Sequence, residues 1–394
     1  MGQPALPRLL YLGDVPVEST VAGSALLYRL LEEYPAHRLR IVEGGLNRSS
    51  PDHRLVGVRY DVSNFVWKRL LYSRFVFPYS AFLAFTAGAR TYQLQATVKD
   101  FRPEAIITVA HGFACLTAAA LARRLGLPLH LVVHDDWPSA VELPKSLQKW
   151  ANRRFGAVYR QARSRICVSP YMADEFRKRY GVEGVVIYPS RSARAPSFDQ
   201  LPARKPVPGA PLVFGYAGSI STPQYAQALV SLASVLKPLD GRLIVFSQVE
   251  DDAAGPLALR SSNIELRPII PFNELMATLR REVDVLFLPM SFSPCHRTNM
   301  ELSFPSKLTD YTATGLPILI WAPPYSSALR WARENEGVAE VVEEEGVNAL
   351  ERSTRKLARD PDYRDRLGEA ARVAGERFFS YSRASSSFYR SLGS

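Results

Sequence analysis

Short apolar runs alternate with segments of helical periodicity along almost the whole chain. Residues 9–13, 105–110 and 129–133 are apolar runs of strand length, and each is followed by a loop and then by a helical segment. The same alternation returns at residues 212–217 and 283–289. Buried strands that alternate with helices form parallel sheets covered by helices on both faces. The pattern therefore predicts an α/β protein with doubly wound parallel sheets.

A turn-rich segment separates two series of strands. Residues 191–210 contain four prolines and show no apolar period, which is typical of a linker. We therefore predict a first Rossmann-like domain at residues 1–190, a linker at 191–210, a second domain at 211–370 and a helical tail at 371–394. A chain of 394 residues is long enough to bury two hydrophobic cores.

Cysteine usage indicates a reducing compartment. The chain has three cysteines, far apart and each beside apolar residues, which fits neither a disulfide framework nor a zinc site. No basic stretch with a following apolar core opens the sequence, so a secretory leader is not expected. These features predict a cytoplasmic protein.

Positive charge is concentrated in the first half. Residues 1–190 contain 25 Lys and Arg against 15 Asp and Glu, whereas residues 191–394 contain 24 against 23. Such a split favours an acidic partner for the first half, either anionic lipid, a phosphorylated acceptor or nucleic acid. The sequence lacks a helix-turn-helix, a zinc finger and an RNA-recognition signature, so nucleic acid is not expected.

Residues 63–95 combine aromatic and basic side chains to an unusual degree. Trp67, Lys68 and Arg69 precede the apolar stretch 75–85, which is too short to span a bilayer. An interfacial helix at the inner membrane face has this composition. The alternative is a helix packed on its own domain, with basic side chains along its edge.

Two histidines follow neighbouring strands of the first domain. His111 comes after residues 105–110, and His134 comes after residues 129–133. Ligands of open parallel sheets bind beyond the carboxyl ends of the strands, so both histidines are candidate site residues. Gly23 lies after the first strand, but the chain has no G-x-G-x-x-G there, and dinucleotide binding is not supported.

The richest chemistry lies in residues 304–320, a predicted loop, short helix and buried strand. Ser306 and Lys307 open the helix, where free backbone N–H groups and an ammonium suit a phosphate. Asp310 lies one turn later and can accept hydrogen bonds from a ribose diol. Gly218 and Ser219, after the strand 212–217, form a second glycine loop. A plain capped helix before a core strand is the structural alternative.

The run Pro305-Ser306-Lys307, with Asp310 and then Gly315-Leu316-Pro317, resembles the donor motif of GT-B glycosyltransferases, in particular the retaining glycosyltransferase family 4 group. In that family the motif has two carboxylates separated by seven residues. Asp310 is at the second position, which binds ribose, whereas the first position here is Leu302. Glu301, one residue away, is the candidate replacement for the carboxylate that holds the sugar hydroxyls.

The resemblance implies two facing domains with the donor bound in the cleft between them and a C-terminal helix that crosses back to the first domain. It also implies that His111 meets the donor sugar, that Gly218 and Ser219 place backbone amides on the diphosphate, and that Gly23 lies near acceptor or donor phosphate. His134 is a weaker candidate for the same site. The family's usual Arg and Lys after the glycine loop are missing before Lys237.

We therefore expect an enzyme that moves a sugar from a nucleoside-diphosphate sugar to a glycan, a lipid-linked acceptor or a small molecule. Lys307 and His111 are the predicted catalytic residues, acting mainly by electrostatic stabilisation and orientation. By resemblance, the reaction retains the anomeric configuration and uses no cofactor besides the donor. No metal site is expected, since Asp135-Asp136 and Asp251-Asp252 lack the context of a metal-binding D-x-D motif.

Two alternatives remain open at this point. A non-catalytic nucleotide-sugar-binding or scaffold protein would explain Leu302 and the missing Arg and Lys. A sugar-nucleotide epimerase of the same fold would need acid and base carboxylates that the sequence does not identify.

Overall fold

The computed structural model describes residues 6–20, 22–141, 143–203, 210–220, 222–247, 259 and 261–393. The chain divides into two compact units. The first comprises Met1–Tyr188 together with Tyr381–Ser394, and the second comprises Pro189–Ser380. Residues 204–209 of the predicted linker and the pair Asp251-Asp252 lie outside the described residues.

The described part of the first unit contains a parallel sheet of seven strands in the order β3-β2-β1-β4-β5-β6-β7. The central strands are buried throughout, as expected for a sheet covered on both faces. The strands are β1 (Leu9–Gly13), β2 (Leu39–Glu43), β3 (Arg59–Val62), β4 (Ala105–Val109), β5 (Leu129–Val133), β6 (Ser164–Cys167) and β7 (Val185–Val186).

Helices of the first unit connect these strands. They are α1 (Ala22–Leu31), α2 (Lys68–Leu71), α3 (Val76–Phe85), α4 (Ala87–Arg90), α5 (Gln95–Phe101), α6 (Ala114–Leu125), α7 (Trp137–Ala140), α8 (Gln148–Gln161) and α9 (Pro170–Tyr180). Residues 138–163 do not form one continuous helix. The chain breaks after α7 because Pro144 holds the preceding residue out of the helical region, and α8 starts only after a short 3-10 turn.

The described part of the second unit contains a parallel sheet of six strands in the order β10-β9-β8-β11-β12-β13. Its core is formed by side chains such as Phe214, Leu232 and Phe287. The strands are β8 (Val213–Ala217), β9 (Arg242–Phe246), β10 (Ile264–Arg267), β11 (Val285–Pro289), β12 (Ile318–Trp321) and β13 (Glu340–Val342). The helices are α10 (Pro223–Leu236), α11 (Phe272–Glu282), α12 (Arg297–Leu302), α13 (Ser306–Tyr311), α14 (Ser327–Glu334), α15 (Val347–Arg359) and α16 (Pro361–Phe379).

The helical tail predicted at residues 371–394 is divided at Ser380. The helix α16 ends at Phe379 and is grouped with the second unit, whereas α17 (Tyr381–Gly393) is grouped with the first. Within the first unit, the ring of Tyr389 on α17 lies 6.0 Å from that of Tyr34. Among the helices that the structure describes, none combines the length and apolar character that crossing a bilayer requires.

Both sheets have the same switch in strand order. In each, the first strand lies between the second and the fourth, which puts β1 beside β4 and β8 beside β11. The predicted class, two doubly wound parallel-sheet domains, is confirmed. Ligands of such sheets bind outside the carboxyl ends of the strands at this switch. We therefore expect functional residues at the two switch points.

Candidate functional site

In the second unit, Gly218 and Lys307 contact each other at the carboxyl end of β8. Gly218 has a φ of +140°, which side-chain-bearing residues rarely adopt. A Cβ built on it would lie 2.1 Å from Cε of Lys307. A glycine is therefore required for the lysine stem to lie across the backbone, and two segments almost ninety residues apart form one site.

The ammonium of Lys307 lies among aromatic rings. Its Nζ is 5.3 Å from the centroid of the Tyr216 ring and 5.6 Å from that of Tyr225. Burial lowers the pKa of Lys307 to about 8, although the nearby Asp310 acts in the opposite direction. No carboxylate in the described residues lies within 4.0 Å of this ammonium. A desolvated cation of this kind gains most from an anionic ligand.

A hydrogen bond fixes the lysine helix against the sheet. The hydroxyl of Tyr311 accepts from the Ala217 N–H at 2.9 Å, which joins α13 to the end of β8. Pro305 is the N-cap of α13, and Ser306 is its first residue. The side chain of the N-cap residue Pro305 makes no capping hydrogen bond. With only six residues, α13 has a weak helix dipole, so the charge of Lys307 contributes more than the helix to the attraction of an anion here.

The carboxylates around α13 have distinct environments. Asp310 is half-buried. It interacts electrostatically with Arg191, whose pKa is lowered by burial and raised in part by the negative charges of Glu376 and Asp310. Glu301 forms an ion pair with Arg297 at 3.9 Å. Leu302 is 4% exposed and belongs to the core.

The loop after β8 continues into α10. Ser219 is exposed, and its carbonyl accepts from the Tyr216 hydroxyl at 2.7 Å. The loop leads into α10, a helix of fourteen residues with Thr222 at its N-cap. The N-terminus of α10, a longer helix than α13, therefore follows shortly after the turn at Gly218.

In the first unit, His111 and His134 lie side by side. Their ring centroids are 5.6 Å apart, with the planes inclined by 27°. Nε2 of His134 lies 3.1 Å from the Asp135 carboxylate. Burial and then the neighbouring His134 lower the pKa of His111, whereas Asp135 raises the pKa of His134 against the effect of burial. One ligand atom from each of the three residues lies within 4.8 Å of the others, so the group could also hold a metal ion.

Asp14 lies at the same switch point, and the sequence analysis missed it. The residue follows β1 directly and is 1% exposed. Its Oδ2 accepts from the N–H groups of Phe113 and Ala114, at 2.7 Å each, at the start of α6. Gly44 and Gly112 make room for the carboxylate, because a Cβ on either would lie within 2.3 Å of an Asp14 oxygen. A carboxylate directly after the first strand was the available signal.

Gly23 has a different position from the other predicted site residues. It is exposed in the first turn of α1, and nothing lies within 4 Å of the place where its Cβ would be. The described geometry brings together Gly218 with Lys307 in one unit, and His111 with His134 in the other. It shows no such partner for Gly23.

Comparisons with known proteins agree with this architecture. Residues 24–190 match the family described as Glycosyltransferase Family 4. Three solved structures cover nearly all of the chain. The Anabaena protein Alr3699/HepE, in complex with UDP and glucose, is 14% identical with a TM-score of 0.66 over 98% of this chain and 100% of that chain. The sucrose-phosphate synthase of Thermosynechococcus elongatus is 12% identical with a TM-score of 0.67 over 98% and 99%. Acinetobacter baumannii MurG is 14% identical with a TM-score of 0.54 over 98% of both chains.

The fold is that of the GT-B glycosyltransferases. No curated protein matches the chain by sequence. At such low identities the structural likeness shows the fold alone, so the role of each residue rests on its own geometry. In this GT-B fold, both residue clusters lie at the strand-order switch of their own sheet.

Proposed function

We propose that this protein is a glycosyltransferase that uses a nucleoside-diphosphate sugar as donor. The observation that carries the proposal is the contact between Gly218 and Lys307 at the switch point of the second sheet. Backbone that bends around a half-buried lysine, next to the start of α10, is suited to a diphosphate. The Family 4 match of residues 24–190 supports the same function.

Lys307 stabilises the charge that develops on the leaving diphosphate. The rings of Tyr216 and Tyr225 limit the access of water to the ammonium, which strengthens its interaction with phosphate oxygens. The cation is in place before the reaction, so little reorganisation is needed when the glycosidic bond breaks. Asp310, one helical turn further along α13, accepts hydrogen bonds from the ribose hydroxyls.

His111 orients the donor sugar. Its pKa is lowered, so the imidazole is neutral at pH 7 and can both donate and accept a hydrogen bond. His134, held by Asp135, fixes the ring next to it. We assign no nucleophile, because we identify no pair of carboxylates for that role among the residues that the structure describes. By family resemblance the reaction retains the anomeric configuration and needs no metal.

UDP-sugars are the first donors to test, since the solved structures of HepE contain UDP or UDP-glucose. We propose a glycan, a lipid-linked saccharide or a small molecule as acceptor. The three cysteines are free thiols, which supports a cytoplasmic protein.

A nucleotide-sugar-binding protein without transferase activity is the second candidate. The buried Leu302 favours it, because this side chain cannot bind sugar hydroxyls as a carboxylate would. In that case the diphosphate site would remain and the chemistry would be absent.

A panel of radiolabelled nucleotide sugars distinguishes the candidates. We expect release of nucleoside diphosphate with transfer or hydrolysis of one sugar, both with and without a chelator. Binding without release would support the second candidate, whereas conversion to an epimer would indicate an epimerase. A requirement for divalent metal would contradict the metal-free proposal and direct attention to His111, His134 and Asp135.

A further inference from the structure

The segment around α2 and α3 exposes an unusual number of large aromatic side chains. We call this set the aromatic surface. Its members are Trp67, Tyr72, Phe75, Phe77, Phe82 and Phe85, with exposed fractions between 48% for Phe75 and 81% for Tyr72. Single exposed apolar residues are ordinary, but a cluster of this kind marks an interaction site.

The aromatic surface is held in place from beneath. Ser80, Leu83 and Ala84 of α3 are buried, so one side of the helix packs on its own unit and the phenylalanines extend from the other side. The Tyr79 hydroxyl accepts from the Trp67 N–H at 2.8 Å and joins α2 to α3. The exposed rings therefore belong to a packed helical layer.

Positive charge surrounds the aromatic surface, and acidic residues are missing from its segment. Residues 62–99 contain five Lys and Arg and no Asp or Glu, and residues 143–173 contain seven and none. The two segments meet where the ring of Phe85 lies 4.7 Å from that of Trp150. Eight exposed cations from these segments form no ion pair within the described part of the chain: Lys68, Arg69, Arg74, Lys99, Lys145, Lys149, Arg153 and Arg160.

We propose that the aromatic surface docks on an anionic lipid bilayer, with α3 lying along the interface. Phenylalanine and tryptophan gain free energy when they enter the boundary between headgroups and acyl chains, and Lys and Arg pair with anionic headgroups. A lipid bilayer is favoured over nucleic acid because four of the six rings are phenylalanines. These apolar rings gain free energy when they are buried in hydrocarbon, which a bilayer provides and nucleic acid does not.

The docking proposal goes beyond the proposed transferase activity and does not depend on it. If the proposal holds, the first unit meets its acceptor at a membrane, and donor binding by the second unit is unaffected. The thermal unfolding transition, measured by circular dichroism and compared with that of the wild type, shows for each variant whether the chain is correctly folded, whether or not it binds UDP.

The contribution of charge to vesicle binding is tested by co-sedimentation of the full chain with vesicles of phosphatidylcholine, with and without phosphatidylglycerol. We expect binding only when the anionic lipid is present, and weaker binding as salt rises, since the Debye length is about 10 Å at 0.1 M salt. The double variant Lys68→Glu/Arg69→Glu should bind at least about 25-fold more weakly, because each basic residue contributes about fivefold. The control Lys237→Glu/Arg359→Glu changes the same charge at exposed positions of the second unit and should bind as wild type.

Insertion is tested by the fluorescence of Trp67. This side chain is 70% exposed, whereas Trp137, Trp321 and Trp331 are buried. Trp150, which lies beside Phe85, is half-buried, so the contribution of Trp67 is read as the difference between the wild type and Trp67→Phe. Anionic vesicles should shift the emission to the blue, and brominated lipid should quench it. The variant Trp67→Phe should lose most of the signal while it retains vesicle binding.

The apolar contribution is tested by Phe77→Ser/Phe82→Ser, which should weaken vesicle binding by about tenfold per ring or more. Its control is Val56→Ser/Val373→Ser, two exposed apolar residues outside the aromatic surface. Three outcomes would overturn the proposal. They are no binding to anionic vesicles at low salt, equal loss in the matched controls, or burial of Trp67 in a self-associated form without lipid.

Discussion

The two sheets share one strand order, but the residues at their switch points carry opposite charges. In the first unit a carboxylate of the chain, Asp14, occupies the start of α6 and accepts from two of its N–H groups. In the second unit the corresponding edge has Gly218, bent to a φ of +140°, beneath the ammonium of Lys307. One edge already contains an anion, whereas the other presents a cation.

This difference assigns different tasks to two halves of similar topology. A phosphate would be repelled by Asp14 and would have to compete for the N–H groups that the carboxylate already binds. At Lys307, an anionic ligand would replace the solvation that burial has removed. The overall charge of the halves would suggest the reverse, because the first half holds the excess of Lys and Arg. In the proposed function, therefore, local geometry and not net charge decides where the diphosphate would bind.

The strongest test of this comparison removes the cation. Lys307→Ala should lower kcat/KM for transfer by on the order of 100-fold or more, because the leaving diphosphate loses its main stabilising charge. The steady-state rate with the best donor from the panel measures this. Lys237→Ala, an exposed lysine of the same unit, is the matched control. A folded Lys307→Ala enzyme with near wild-type activity would remove Lys307 from the site.

The ribose assignment of Asp310 is tested by Asp310→Asn. The change should weaken UDP binding by about 1.5–3 kcal/mol, the contribution of hydrogen bonds to a charged acceptor, and should slow the saturated enzyme less. Titration calorimetry gives the affinity. Asp240→Asn is the control, since Asp240 is exposed and asparagine tolerates its left-handed conformation. Unchanged UDP affinity in Asp310→Asn would place the ribose elsewhere.

Asp14→Ala tests the other side of the comparison. Two N–H groups at the start of α6 would lose their acceptor, so the free energy of unfolding should fall by about 1–3 kcal/mol. UDP affinity should stay at the wild-type value, because the proposed donor site lies in the other unit. Chemical denaturation measures the first quantity and calorimetry the second, with the exposed Asp52→Ala as control. A gain of UDP binding at a second site would mean that Asp14 excludes phosphate from an otherwise competent edge.

The sequence predicts the fold well because strand and helix periodicity repeat in both halves. It also predicts Lys307, His111 and Gly218 as site residues, since each lies just after a strand or opens a helix, and their roles stay predictions. Asp14 was missed because its role depends on the N–H groups of Phe113 and Ala114, about one hundred residues away. Tertiary contacts of this kind leave no periodic pattern in the sequence.

The smallest expected effect is a pH dependence that belongs to Lys307 alone. Burial lowers the pKa of Lys307 to about 8, so the unliganded site is cationic below this pH and becomes neutral above it. Only the ammonium attracts diphosphate, and affinity is therefore retained at pH 7 and lost as pH rises through 8. Between pH 7 and pH 9 the affinity for UDP should fall about tenfold.

Arginine remains charged throughout this range, so Lys307→Arg should bind UDP with an affinity that does not change between pH 7 and pH 9, whatever its absolute value. Ionisation of UDP itself affects both proteins equally, and the ratio of their dissociation constants isolates the lysine. A ratio independent of pH would show that Lys307 does not lose its proton near pH 8, and the buried-cation contrast with Asp14 would then have to be abandoned.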